Sequence, residues 1–383
     1  MTVTLKRLGD IATYVNGYAF KPTDWKNKGL PIIRIQNLTN PDSPFNYYQG
    51  EIDDKYIVNK GDILISWSAS LGVFEWLGEK AVLNQHIFKV IFDKEDIDKS
   101  YFKYIVQRSL ERALKYLHGS TMKHITKKYF DNILVPIPDL VTQKKIAKVL
   151  DKAQELIDKR KAQIEALEQL VQSLFWEMFG TYLTSNRNKM FFGELVKEFR
   201  YGTSVKSGEF GYPILRIPNI VNGIIDESDL KYCELPEKDF LKLKLQENDL
   251  LFVRTNGNPN YVGRCASVTK KQEGYVYASY LIRARIDLDK LNTEYVTKYM
   301  NSVFGRHEII QKATTSAGQY NINTEGLGNI LIPVPPLNLQ EDFARKIKLI
   351  DAKKAILQRG LLELENMFNS LMQRAFKGEL FND

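Results

Sequence analysis

Cysteine is almost missing from this chain. Cys233 and Cys265 are the only two in 383 residues, and their spacing fits neither a disulfide framework nor a metal knuckle. That scarcity points to a reducing, intracellular setting, the cytoplasm. No apolar run approaches the length of a membrane span, and the opening MTVTLKRLGD lacks the apolar core of a signal peptide, so no membrane partner is expected. The four histidines, His86, His118, His124 and His307, form no HExxH pair and no Cys/His cluster, so no metal site is expected. There is no Walker-type phosphate loop and no Gly-x-Gly turn after a strand pattern, the usual holders of ATP and S-adenosylmethionine.

Two short matches to catalytic motifs dissolve on inspection. Asn258-Pro-Asn-Tyr261 resembles the Asn/Asp-Pro-Pro-Tyr/Phe motif of amino-methyltransferases, but Asn260 stands where a proline is needed. Asp42 with Asp53-Asp54-Lys55 loosely fits a metal-nuclease pattern, yet Asp42 sits in a Pro/Asn/Asp/Ser stretch that reads as a solvated turn. The chain is expected to catalyse nothing by itself.

What is present is length, positive charge and repetition. At 383 residues two or three domains with real cores fit, and the net charge of +8 is compatible with a polyanion partner. The repeat is explicit. Asn132-Ile-Leu-Val-Pro-Ile-Pro138 returns as Asn329-Ile-Leu-Ile-Pro-Val-Pro335, an offset of 197 residues that holds without insertion from Asn132 to Gly180. Upstream, Gly29-Leu-Pro-Ile-Ile-Arg-Ile-Gln-Asn37 matches Gly211-Tyr-Pro-Ile-Leu-Arg-Ile-Pro-Asn219 at 182, and Gly61-Asp-Ile-Leu-Ile65 matches Asn248-Asp-Leu-Leu-Phe252 at 187. Asn84-Gln-His86 lies opposite Ala278-Ser-Tyr280 at 194. Length changes have therefore fallen in loops while the strands stayed, as expected for two related scaffolds carrying two different readings.

Short strands are expected at 31–35, 62–66 and 86–91, and an amphipathic helix between Asp98 and Leu117. Each half then runs into a long helix with heptad spacing. In the first, Ile146, Leu150, Ala153, Ile157, Ile164, Leu167, Val171, Leu174 and Met178 form the seam; in the second, Phe343, Ile347, Ile350, Leu357, Leu361, Leu364, Phe368, Leu371 and Ala375. Arg160 and Lys354 interrupt these seams, either snorkelling past the edge or fixing register. Each helix needs a partner, and an antiparallel pairing of the two gives a pseudo-two-fold repeat. Asn338 with Glu341 has capping-box spacing at the second start; Asp139 or Thr142 serves the first. The organisation expected is a mixed α/β (α+β) domain at 1–140, a central helix at 141–180, a linker at 181–189, a second domain at 190–337, a distal helix at 338–377 and a tail at 378–383. Both helix ends are apolar on most sides. Phe175, Trp176, Phe179, Met372 and Phe376 either roof their own domain or meet a partner subunit.

Candidate DNA contacts are basic and amide side chains at matched strand ends and loops. Arg34 with Gln36 and Asn37, and Arg216 with Asn219, have the side chains that major-groove geometry pairs with guanine and adenine, though a strand-end ion pair and an Asn turn explain them equally. The loop carrying Arg254, Asn256 and Asn258 lies opposite Ser66 and Ser68; Gln85 and His86 lie opposite Tyr280's segment. Lys123 and His124 face Gln319, Tyr320 and Asn321 just ahead of the constant-offset block, and Lys123, Lys127 and Lys128 suit phosphate contacts.

Taken together, the duplicated layout, the Asn-Ile-Leu-Val/Ile-Pro-Ile/Val-Pro-x-Leu-x-x-Gln blocks through Gln143 and Gln340, Lys60-Gly-Asp-Ile-Leu-Ile-Ser66, Asn84-Gln-His86 and Leu251-Phe-Val-Arg-Thr-Asn256 with Tyr261-Val-Gly263 resemble the DNA specificity subunit of type I restriction–modification enzymes. The resemblance covers essentially the whole chain. It implies two target recognition domains, each reading half of a split, asymmetric site in double-stranded DNA. It also implies paired helices that set the unread gap and dock two methyltransferase subunits, with restriction subunits joining them. S-adenosylmethionine, ATP and Mg2+ would then sit on those partners and none on this chain. The second copy departs in having Ala278-Ser279-Tyr280 for Asn-Gln-His and Ala317-Gly318 for Ser120-Thr121. Two other readings stay open: a self-sufficient DNA-modifying enzyme with degraded motifs, and a coiled-coil interaction protein without a DNA role.

Overall fold

A computed structural model describes residues 4–40, 42–68, 70–116, 125–185, 188–221, 223–316 and 318–381. The chain divides into two compact units, Met1–Ala162 with Gln358–Asp383, and Gln163–Leu357.

In the first unit a four-stranded antiparallel sheet runs in the order Thr13–Asn16, Ile87–Ile91, Ile63–Ser66, Gly72–Glu75. The central strand Ile63-Leu-Ile-Ser66 is buried along its whole length because both faces are covered. Ile63 and Ile65 enter one core with Phe88, Val90 and the helix Lys99–Tyr116, through Tyr101, Phe102 and Ile105. Leu64, pointing the other way, packs with Ile33, Val58 and Leu83 of a second sheet. Period-two alternation with two apolar partners is why the strand reads as a continuous apolar run. That second sheet orders Asn46–Tyr48, Leu30–Ile33, Ala81–Leu83, Ile57–Val58, with one parallel pairing, Ile32 opposite Val82. Thr4–Arg7 pairs antiparallel with Leu134–Ile137 and closes the globule where the long helix begins.

The second unit repeats the design. Val196–Tyr201, Leu281–Ile286, Leu250–Val253 and Cys265–Ser267 form the antiparallel sheet; Lys231–Cys233, Tyr212–Leu215 and Val276–Tyr277 form the other, again with one parallel pair, Ile214 opposite Val276. Leu250 and Phe252 face one core and Leu251 and Val253 the other. Gly29 and Gly211 open the matched strands at φ +116° and +99°, and a Cβ there would strike the carbonyl of Tyr48 or Cys233. No L side chain suits that place.

The long helices span Leu140–Thr184 and Leu337–Phe376, 45 and 40 residues. The first runs to Thr184, so the connection before the next strand is shorter than expected. Asp139 caps it, accepting from the Thr142 amide (3.0 Å) and hydroxyl (2.7 Å). The second starts two residues earlier than the capping-box spacing implies. Asn338 lies inside the first turn, its Oδ1 accepting from the Leu339 amide, while Pro336 occupies the cap.

Within each unit the helices pair antiparallel. In the first, Ile146, Ala147 and Leu150 share a core with Met372 and Ala375, and Lys161 reaches Glu365 at 3.3 Å. In the second, Phe175 and Phe179 pack on Phe343, and Lys354 pairs with Glu168 at 2.5 Å. Arg160 places its guanidinium in the notch left by Gly360, where any Cβ would overlap it. Both cations that break the seams thus reach the facing helix.

Each helix is tied to its own globule by one buried amide. Gln143 donates to the Pro138 carbonyl (2.9 Å) and accepts from the Asp98 amide (2.9 Å); Gln340 donates to Pro335 (2.8 Å) and accepts from Asn292 (2.8 Å). Tyr101 and Tyr295 add matching bonds to the carbonyls of Pro136 and Pro333. No helix among the described residues is long and apolar enough to cross a membrane.

Candidate nucleic-acid interface

The strand ends carrying Arg34 and Arg216 turn identically. The Asn37 Oδ1 accepts from the Arg34 amide at 3.1 Å, and its Nδ2 donates to the carbonyls of Ser43 and Pro44. Asn219 does the same for the Arg216 amide (2.8 Å), Asp226 (2.8 Å) and Asp229 (3.3 Å). With Asn37 6% and Asn219 1% exposed, both amides are consumed by the turn, which corrects the expectation that they meet bases. Ser66 is corrected on the same ground: it is buried, and its hydroxyl donates to the Ser68 carbonyl at 3.2 Å. The arginines themselves remain at the surface edge. Arg34 lies over the Trp25 ring at 5.4 Å, and Arg216 pairs with Asp229 at 2.8 Å. The hydrogen bond from Arg216, ahead of the cost of desolvation, holds the Asp229 carboxyl below its ordinary range.

The loops converge through a backbone pattern repeated in both units. In the first, the Trp67 amide donates to the His86 carbonyl (3.3 Å), and the Trp67 carbonyl accepts from Ile125 (3.0 Å). In the second, the Arg254 amide donates to Tyr280 (2.8 Å), and its carbonyl accepts from Ile322 (2.9 Å). Trp67 thus corresponds to Arg254 and His86 to Tyr280, on one scaffold with different chemistry. In the first unit the Trp67 ring meets the His86 ring edge-on at 5.0 Å, stacks on Phe88 at 5.7 Å, and donates its indole N–H to Asn16. His86 is exposed, with φ +73°. In the second, the exposed Arg254 guanidinium lies over the Tyr201 ring at 4.9 Å, and Tyr280 is 58% exposed.

Around Arg254 the expected residues do assemble. Thr255 and Asn256 pair with Tyr320 and Asn321 of the hairpin, Gln319 accepts from the Thr255 hydroxyl at 3.1 Å, and Asn256 and Asn258 close successive Asx turns. Beside them Thr203, Ser204, Lys206, Ser207, Arg216 and Tyr280 line a groove of about 430 Å³. In the first unit Gln36 is exposed, Gln85 half-buried, and Lys127 exposed but paired with Asp131 at 2.7 Å. Lys123 and His124 lie outside the described residues. Trp67, Tyr201 and Asn16 were not among the expected residues. The 187-residue offset, which sets Trp67 opposite Arg254, is the signal that pointed to the first of them.

The expected partner surface is corrected. Phe175 and Phe179 are buried in the second unit's core against Tyr295 and Phe343; Met372 is buried in the first unit, where Phe376 packs on Tyr101. They roof their own domains. Only Trp176 of this group stays open, 53% exposed and stacked on Phe304.

A model of the type I restriction modification DNA specificity domain matches residues 2–169 and again 192–366. The chain belongs to this family. Among its relatives, the EcoKI specificity subunit of Escherichia coli K12 is 28% identical over 97% of this chain and 87% of its own length. The MjaVIII specificity subunit of Methanocaldococcus jannaschii is 25% identical over 98% and 92%. The fold matches the crystal structure of a type I restriction–modification S subunit from M. genitalium, with TM-score 0.56 and 14% identity over 98% of this chain and 96% of that one. A second structure, from work on assembly and conformational transition of the type I system, matches with TM-score 0.56, 16% identity, and 99% and 98% coverage.

Proposed function

We propose that this specificity-family chain is the DNA-reading subunit of a type I restriction–modification complex. One unit takes each half of a split, asymmetric site in double-stranded DNA, and the paired helices scaffold two methyltransferase subunits, with restriction subunits added to them. The supporting observation is one scaffold built twice with its loop side chains changed, Trp67 and His86 in one copy, Arg254 and Tyr280 in the other. A duplicated scaffold whose binding loops differ suits two unequal half-sites. Chemistry belongs to the partners in this reading: S-adenosylmethionine on the methyltransferase subunits, ATP and Mg2+ on the restriction subunits. This chain supplies position and sequence choice, and contributes no catalytic group.

Co-expression with the cognate adenine methyltransferase, followed by mapping of methylated sites on random DNA, tests the proposal. Methylation at one split motif, lost when this chain is omitted, is expected. Methyl transfer by this chain alone, or methylation that ignores its presence, overturns it.

A further inference from the structure

One position that differs between the two loop clusters is held by the same backbone bonds in both. Arg254 is fixed on both sides of its peptide, by Tyr280 and by Ile322, and the strand that follows it joins the 314–321 hairpin. Its guanidinium rests over the Tyr201 ring, and among the described residues no carboxylate pairs with it. A guanidinium that uses its face on an aromatic ring keeps its N–H edge for a planar acceptor pair. Resting on the proposed function, we infer that Arg254 is the guanine-reading residue of the second unit's half-site, its N–H fork meeting O6 and N7.

The choice of a base over a phosphate follows from the comparison of copies. The phosphate backbone is the same in both half-sites, so a phosphate contact is wanted in both copies. Base edges differ, and here the side chain differs: Trp67 stands at the equivalent place, its one N–H already given to Asn16. An indole so committed cannot make a two-donor contact, so the first unit reads no guanine in this manner at that position. The neighbours of Arg254 also suit base edges, with exposed Tyr280 and the amide of Asn256 alongside.

The test uses the complete complex with its methyltransferase subunits, comparing the wild-type chain with Arg254→Lys and Arg254→Ala by sequencing methylated sites from a random library. A guanine is expected in one half-site, and Arg254→Ala should reduce its preference roughly 5- to 150-fold, since no donor then meets O6 and N7, while Arg254→Lys retains part of it. The other half-site should be unchanged, which also reports that the variant folds and assembles. Arg254→Ala with an intact motif, slowing methylation equally at every sequence, makes Arg254 a phosphate contact and overturns the assignment. A half-site with no G·C pair does so too. A wild-type complex that methylates no split motif overturns the proposed function itself, a different result from an intact motif that ignores Arg254.

Discussion

Asn219 shows what a single buried amide can hold. It satisfies the Arg216 amide and the carbonyls of Asp226 and Asp229, all part-buried, so Asn219→Ala removes the side chain that closes the turn. A loss of about 1–3 kcal/mol in urea unfolding of the second unit is expected. Unchanged stability with an altered methylated motif would instead make Asn219 a base contact. Burial alone would raise the Glu198 carboxyl, but Arg200 and the fully buried Arg283, at 2.5 Å, hold it below its ordinary 4.5. A carboxylate depressed in the folded state adds stability above its unfolded value and loses it as pH falls through the folded one. Glu198→Gln should therefore cost about 1.5–3 kcal/mol at neutral pH, from a buried guanidinium that loses its nearer carboxylate and keeps only Asp249. The gap to wild type should close below pH 4.5. A gap independent of pH, read from unfolding at pH 7 and pH 3, would remove the ion pair as its cause.

The long helices show where pattern ends and context begins. Their seams follow from heptad spacing, which depends only on the chain itself. The fate of their aromatic ends does not, because a helix apolar all round looks the same under its own domain as under a partner. Phe179 settles on the first outcome, with Tyr295 at 4.7 Å and Phe343 at 5.2 Å. Phe179→Ala should cost about 3–5 kcal/mol, seen as a lower thermal midpoint of this chain in isolation. Trp176→Ala, removing a half-exposed ring, should shift that midpoint far less. Equal midpoints for Phe179→Ala and wild type would return Phe179 to the partner surface. The strands were legible for a similar reason: Ile63–Ser66 and Leu250–Val253 sit between two cores, and continuous apolar runs declare that. Asn37 and Asn219 were not, since an asparagine after an arginine reads alike whether it closes a turn or meets a base.

At the scale of the molecule, duplication does two jobs with one design. The offset drifts from 182 to 194 through the globular repeats and then stays at 197 through the helices. Loops were free to change length, and with it what they read; the helices were not. The contrast is what motivates testing the helices as a spacer, because every residue added to one helix of an antiparallel pair must be matched on the other to keep the seam closed. Removing one heptad from both helices at facing positions shortens the pair by about 10 Å, close to three base pairs at about 3.4 Å each. The turn involved is unequal: a heptad rotates a straight helix by roughly 20°, whereas three base pairs rotate DNA by roughly 100° at about 10.5 per turn. The shortened chain should therefore methylate a motif with the same half-sites and a gap shorter by about three base pairs, at a reduced rate because the second half-site no longer faces its reader squarely. Sequencing of methylated sites gives both quantities. A gap that stays the same after both deletions would show that the helices do not set it, and would move that role to the bound methyltransferase subunits.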